Sequence, residues 1–295
     1  MMSQSPNQKA FNKFKRNGFA MTALVIILFL ITTSFFAYWI APDHTPNANE
    51  QFQKLAQKPP GFKVDMLKLR KKGRGESSNF MQGLFSGYER RYILLPINGA
   101  KIIDGDVKIT EYEGASFSIS SDLVYGDLEE ALIQKSFLLG TDQLGRDIFS
   151  RLLVGSRVSL MVGFFAVIIS SFIGILLGGI AGFYRGWIDK VILWKMSVFW
   201  SIPTILLAMA LFVGLKQYFE SNIWLVFIAI GVTMWVGLAR IVRGQMMAFR
   251  EIQFVEAAGS MGFSDFRVIF RHILPNLLGP IVVVMAANFA NAILV

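Results

Sequence analysis

Two polar stretches of this 295-residue chain carry residues whose types and spacing could do chemistry. The first, Ala248 to Asn276, reads AFREIQFVEAAGSMGFSDFRVIFRHILPN. Glu256-Ala257-Ala258 sets one acid beside two small side chains, a combination suited to docking, because small residues permit close approach and a charge anchors register. Gly262 reads as the hinge between two short helices. Ser264 is a natural N-cap for the second, and Asp265 suits the positive end of its dipole. Phe266, Ile269, Phe270 and Ile273 recur at helical spacing and predict one apolar face, with Arg267 and Arg271 on another. Pro275 is expected to end that helix after Leu274. The second stretch, Gly140 to Arg157, carries Asp142, Arg146, Asp147, Arg151 and Arg157. These charges could bind a peptide terminus or form ion pairs that fix a helix ahead of an apolar span, and the structural reading is preferred. Enzyme chemistry finds little support. No GxxxxGK[ST] loop occurs, so no Walker-type ATP site is expected. The two histidines, His44 and His272, lie far apart with no HExxH pair, which leaves a metal site or catalytic triad without residues. His272 reads as packed or interfacial. There is no cysteine, which removes disulfides and thiolate chemistry.

The elements that must position these residues are membrane helices. The chain is 54% hydrophobic and only 17% charged, against about 25% charged for a soluble domain. Its net charge of +9 could suit nucleic acid or anionic lipid, and its distribution favours lipid and topology, so no nucleic-acid partner is expected. Residues 1–17 carry Lys9, Lys13, Lys15 and Arg16 and no acid, which places the N-terminus in the cytoplasm. Residues 18–40 are uncharged and exceed the roughly 20 residues that cross a bilayer. They read as a retained anchor, being longer than a signal-peptide core and lacking a small-residue cleavage site near Tyr38 and Trp39. Residues 41–158 form an extracytoplasmic insert and pre-membrane segment. Its basic run, Lys68, Arg70, Lys71, Lys72 and Arg74, reads as a solvated loop. Arg91–Leu95, Lys101–Ile103, Val107–Tyr112 and Ala115–Ile119 predict short strands, with turns at Asn98-Gly99, Asp104-Gly105 and Glu113-Gly114. Residues 159–295 form the core, with spans near 159–183, 191–215, 223–239 and 277–295. Glycines in the first of these, including Gly178 and Gly182, can make a packing face. Pro203 is expected to kink the second. Arg185, Lys190, Arg240, Arg243 and Arg250 mark the cytoplasmic side, which puts the 248–276 loop inside the cell.

Glu256-Ala257-Ala258, Gly262 and Leu274-Pro275 resemble the EAA loop of permease subunits in binding-protein-dependent ABC importers. Residues 140–295 resemble the C-type permease of dipeptide and oligopeptide importers, through GTDQLGRDIFSRLLVGSR at Gly140 to Arg157 and RHILPN at Arg271 to Asn276. Within the first motif the matching positions are Gly140, Thr141, Asp142, Leu144, Gly145, Arg146 and Asp147. The resemblance implies an all-α polytopic membrane protein with the type I ABC importer transmembrane domain, to which the residue pattern adds an extracytoplasmic insert expected to contain β structure. It implies no enzyme, with no catalytic residue and no cofactor bound directly. ATP and magnesium would sit on cytoplasmic ATPase subunits. Further partners would be a second homologous permease, an extracytoplasmic substrate-binding protein and the bilayer of a bacterial inner membrane. By the same resemblance Glu256 supplies the acidic contact to the ATPase, Ala257 and Ala258 the close packing, Gly262 the bend, and Leu274 and Pro275 the closure of the loop. Pro203 is a candidate for shaping the pathway. The family carries a sixth membrane helix beyond the last span here, so the chain is expected to be truncated. A membrane-anchored sensor or scaffold, acting through its extracytoplasmic part, is the alternative. Ion-coupled secondary transport is disfavoured because no span holds a charge at mid-depth.

Overall fold

The computed structural model describes residues 6–71, 87–88, 90–103, 105–219 and 223–295. The chain divides into two compact units, Met1–Val158 and Ser159–Val295.

In the first unit, α1 (Pro6–Lys15) precedes α2 (Gly18–Phe35), an uncharged helix whose first turn is capped by the Asn17 side chain accepting from the Ala20 amide at 3.2 Å. Its threonines satisfy themselves internally: Thr22, Thr32 and Thr33 hydroxyls donate to the carbonyls of Gly18, Leu28 and Phe29. α2 leaves most of its apolar side chains uncovered, as a helix facing lipid does. At Phe36 the backbone leaves helical geometry, and the short α3 (Ala37–Ile40) follows. Trp39 is exposed, whereas Tyr38 is buried beside Ala37, Ala48 and Val154 rather than presented at a surface.

A five-stranded antiparallel sheet comes next, ordered β4-β3-β2-β1-β5. Its strands are β1 (Phe62–Arg70), β2 (Tyr92–Ile103), β3 (Asp106–Glu111), β4 (Ser116–Ser120) and β5 (Leu132–Phe137), the last preceded by α4 (Leu128–Ala131). The turn expected at Asn98-Gly99 is not formed. Arg91–Leu95 and Lys101–Ile103 belong instead to one strand, with a bulge between Ile97 and Gly99. The reason is pairing on both edges: β2 lies against β1 from Tyr92 to Ile97 and against β3 from Ile97 to Ile103, and the bulge marks the hand-over. The turn at Glu113-Gly114 does form, with Glu113 in left-handed geometry. Lys68 and Arg70, expected in a loop, lie in β1. Lys72, Arg74 and Asp104 lie outside the described residues. Period-two alternation gives the sheet two apolar faces. Val64, Met66, Leu94 and Phe137 cluster with Phe52 and Leu55, while Leu67, Ile97, Val107 and Ile109 cluster with Val124 and Ala131.

α5 (Ile148–Tyr184) crosses the boundary between the units. The second unit continues with α6 (Gly186–Trp200), α7 (Thr204–Lys216), α8 (Ile223–Thr233), α9 (Trp235–Arg250), α10 (Gln253–Ser260), α11 (Asp265–Arg267), a π-helical turn at Val268–Ile273, and α12 (Leu274–Leu294). Among the described residues four helices are long and apolar enough to cross a membrane, or five if α6 and α7 count together. That pair is bent by 94°. Pro203 accounts for the break, since it has no N–H to donate and disfavours helical geometry at Ile202.

Close packing of α5 on α9 holds this unit together. A Cβ at Gly174 would lie 3.0 Å from the Trp235 carbonyl, one at Gly178 would overlap Ala239, and one at Gly182 would lie 2.6 Å from the Arg243 carbonyl. These glycines recur every four residues, so one stripe of α5 lets the two backbones touch.

Candidate functional site

The 248–276 segment is built as an inner and an outer side. Val255 and Ala258 of α10, with Val268 and Ile273, bury themselves in a core with Phe183, Leu238, Val242, Met246, Leu277 and Ile281. Glu256 and Ala257 face outward, as do Met261, Phe266 and Phe270. The structure therefore separates the two alanines: Ala258 packs against its own bundle, and only Ala257 accompanies Glu256 on the open side. It also divides the apolar face expected from the sequence. Ile269 and Ile273 turn inward, whereas Phe266 and Phe270 remain exposed with ring centroids 4.4 Å apart. The π-helical turn causes this division by shifting the side-chain phase between Phe266 and Ile273.

Gly262 ends α10 with φ of +80°, and the Phe263 amide closes back on the Ala258 carbonyl at 3.2 Å. Ser264 takes the extended backbone of an N-cap, but its hydroxyl makes no capping bond. His272 is stacked on Phe263 at 6.0 Å, and Arg267 lies over the same ring.

Pro275 does not end the helix. The run Asp265–Leu294 stays helical, with Pro275 in the first turn of α12. Proline lacks an amide hydrogen and crowds the carbonyl four residues earlier, and the backbone absorbs both by widening into the π turn. The Leu274 amide reaches Ile269, and Asn276 Nδ2 donates to the His272 carbonyl at 2.7 Å. Leu274 is half-buried and Pro275 exposed. The outer phenylalanines thus stand on the same continuous rod as the last apolar helix.

Arginines tie this segment to its bundle. Arg185, with φ of 56°, donates to the Met247 carbonyl at 3.1 Å and to Glu251 at 2.8 Å. Arg250 donates to the Phe183 carbonyl and covers the Phe183 ring. Arg243 holds Asp189 through two bonds of 2.5 and 2.7 Å, joining α9 to α6. From sequence these arginines read only as markers of topology, and their acidic partners, 54 and 66 residues away, gave no local signal. A cleft of about 480 Å³ opens among Arg185, Arg250, Glu251, Glu256, Phe263 and Asp265.

The 140–147 motif lies in the first unit and forms a tight turn clamped onto residues 52–58. Gly140 and Gly145 both have positive φ, and a Cβ on either would overlap the carbonyls of Lys58 and Phe52. The Thr141 hydroxyl donates to Leu55 and accepts from the Lys58 amide. Asp142 accepts from the amides of Leu144 and Arg146 and from Arg146 Nε at 2.7 Å. Arg151 Nε stands 3.8 Å from the same carboxylate, and the Arg157 guanidinium lies over the Tyr38 ring. Buried Asp147 accepts from the Ser150 amide and hydroxyl at the start of α5. Leu144 is exposed. Burial would raise the Asp142 carboxyl, but the Arg146 and Leu144 amides and the Arg146 side chain hold it below its ordinary value of 3.8. A lowered folded pKa contributes stability that is complete above the ordinary value and is lost as pH falls through the folded one. Protection of the Leu144 and Arg146 amides from hydrogen exchange, relative to their intrinsic rates, should accordingly hold down to about pH 4 and fall only under further acidification. Loss of protection already between pH 6 and 5 would contradict this assignment.

Pro203 lines a second cleft, of about 620 Å³, at the α6–α7 break, together with Ser201, Thr204, Thr233, Asn288 and Asn291. Within the second unit Pro203 and the 248–276 segment line different clefts, and the 140–147 turn belongs to the first unit.

Residues 174–294 match the family described as the binding-protein-dependent transport system inner membrane component, and residues 5–60 match the N-terminal TM domain of oligopeptide transport permease C. The chain is 40% identical over 156 residues to the glutathione transport system permease protein GsiD of Pectobacterium atrosepticum, covering 53% of this chain and 50% of that one. It is 36% identical over 159 residues to the oligopeptide transport system permease protein OppC of Bacillus subtilis, covering 54% and 51%. It is 42% identical over 155 residues to the dipeptide transport system permease protein DppC of Alkalihalophilus pseudofirmus, covering 52% and 50%. The chain spans about half the length of the curated relatives it matches. Neither family match reaches the sheet between Phe62 and Phe137.

Proposed function

We propose, for a chain that belongs to the binding-protein-dependent ABC transporter permeases and is similar to their C-type subunits, that it forms one permease half of an ATP-driven importer of short peptides. It is a multi-pass inner-membrane protein and not itself an ATPase. In this reading the N-terminus and the 248–276 segment face the cytoplasm, and residues 41–158 face the opposite side. ATP and magnesium are handled on partner ATPase subunits, a second permease completes the pore, and a binding protein delivers substrate. Dipeptides, oligopeptides and glutathione, after which the similar permeases are named, are the substrate candidates.

The observation that carries the reading is the two-sided construction of the 248–276 segment. Glu256, Met261, Phe266 and Phe270 are all exposed on this segment, which offers the apolar and charged contacts of a protein interface. Glu256 is assigned the acidic contact, Ala257 the close approach on the outside, and Ala258 packing to the bundle. Gly262 supplies the bend, while Leu274 and Pro275 pass the displacement into α12 instead of closing the loop. A push on the Phe266–Phe270 surface would then move the last apolar helix as a rod. The 140–147 turn is assigned a structural role in seating the start of α5, because its charges are spent on neighbouring backbone and side chains.

Purification of the tagged chain in mild detergent tests this. Recovery of a second permease and a Walker-containing ATPase is expected, with the ATPase lost and membrane insertion intact in Glu256→Arg. An ATPase recovered equally by both forms would sink the docking role of Glu256. Recovery of no ATPase by the wild-type chain would sink the importer reading.

A further inference from the structure

Two helix breaks in the second unit open onto one cleft. One separates α6 from α7 at Ser201–Pro203, and the other, at Met234, separates α8 from α9. Both line the cleft of about 620 Å³, as do Thr204, Thr233, Asn288 and Asn291, and among the described residues none of its lining side chains is charged. Arg240 packs over Trp200, itself a lining residue, at 4.3 Å. Asn288 Nδ2 is buried and has no hydrogen-bond partner among the described residues. The Thr233 hydroxyl donates to Ile230 at 2.7 Å and that of Ser201 to Val198 at 2.8 Å, which leaves both oxygens able to accept.

In helices otherwise this apolar, an orphaned amide and two interrupted backbones are costly unless they border a wet path. A transported solute that carries both N–H and C=O groups would satisfy them in passing. We propose that this cleft is a station on the translocation path where neutral donors and acceptors handle the main-chain amides of a peptide. A turn of the Asn288 side chain brings its buried Nδ2 into the cleft, where it donates to a peptide carbonyl, while the oxygens of Asn291, Thr233 and Ser201 accept from peptide N–H groups. Neutrality has a consequence for selectivity. A fixed charge here would hold one class of side chain and repel another, whereas uncharged hydrogen bonds bind every peptide weakly enough to release it. The inference rests on the importer reading and names the chemistry of its pathway.

The test uses the complete transporter, with its partner permease, ATPases and binding protein, in sealed vesicles. Uptake of labelled Ala-Lys-Ala, Ala-Ala-Ala and Ala-Glu-Ala is measured for wild type, Asn288→Leu, Asn288→Asp and Asn291→Asp, and co-purification of the ATPase checks the assembly of each. Asn288→Leu should lower uptake of all three peptides alike, by roughly tenfold, through loss of a buried hydrogen bond. The aspartate variants should raise the ratio of cationic to anionic peptide uptake by roughly tenfold over wild type. An unchanged ratio in whichever aspartate variant assembles overturns the inference and leaves the importer reading standing. Absence of ATP-dependent uptake of any of the three peptides by the wild type overturns both.

Discussion

Gly262→Pro is expected to leave ATP hydrolysis running in the assembled transporter while peptide uptake is lost. Gly262 sits at φ of +80°, and proline is confined near −65°. The substitution therefore cannot be accommodated by side-chain movement, and the closure of the Phe263 amide on Ala258 must open. That closure sets the direction of α10, which presents Glu256, against the helical rod that carries Phe266 and Phe270 into α12. Re-aiming one against the other separates docking from the displacement it should cause. Gly262→Ala is the graded control. No atom lies within 4 Å of the position a Cβ would take, so the change adds only left-handed backbone strain of about 1–2 kcal/mol, and uptake should fall partially. Hydrolysis and uptake measured together in vesicles decide the matter. A wild-type ratio of uptake to hydrolysis in Gly262→Pro would remove the hinge from the mechanism.

Arg243→Leu is expected to destabilise the second unit by roughly 3–5 kcal/mol, because it strands the largely buried Asp189 carboxylate in an apolar bundle. Asp189→Leu should cost less, because the Arg243 side chain is 23% exposed and its guanidinium can turn to water once unpaired. The double variant should be clearly more stable than either single one, since no charge is then left unpaired and two leucines fill the space. Thermal unfolding in detergent, followed through the tryptophans, gives the comparison. Additive losses would show that the pair makes no mutual contribution and that α6 and α9 are joined by their apolar packing, Ile192 and Met196 against Trp235 and Ala239.

The class of this protein was legible because it is written in composition and in runs of residues. Uncharged stretches longer than a bilayer crossing can satisfy their backbone only as helices, and the spacing of Glu256, Gly262 and Leu274-Pro275 is a local pattern. Strands β3 and β4 were legible for the same reason, being rich in β-branched and aromatic residues and bounded by turn residues. Strands β1 and β5 were not, because Lys63, Asp65, Lys68 and Arg70 make β1 read as a solvated loop until both of its partners are present. The Asn98-Gly99 pair shows the converse: its local preference for a turn is overridden by pairing on both sides of β2. Within the 248–276 segment, the residue types are local information, but their direction is not. Ala257 and Ala258 are chemically identical neighbours, and only the core formed by Val255, Val268 and Leu277 decides which one is buried. Proline alone argues for a helix end at position 275; the Asn276 side chain and the π turn supply the missing bonds, and those exist only once the helix is packed. The pairing of Arg243 with Asp189 and of Arg185 with Glu251 likewise depends on helices brought side by side. Periodicity and composition act over a few residues and set what each segment can become, whereas burial and pairing act across the fold and set which face each segment shows.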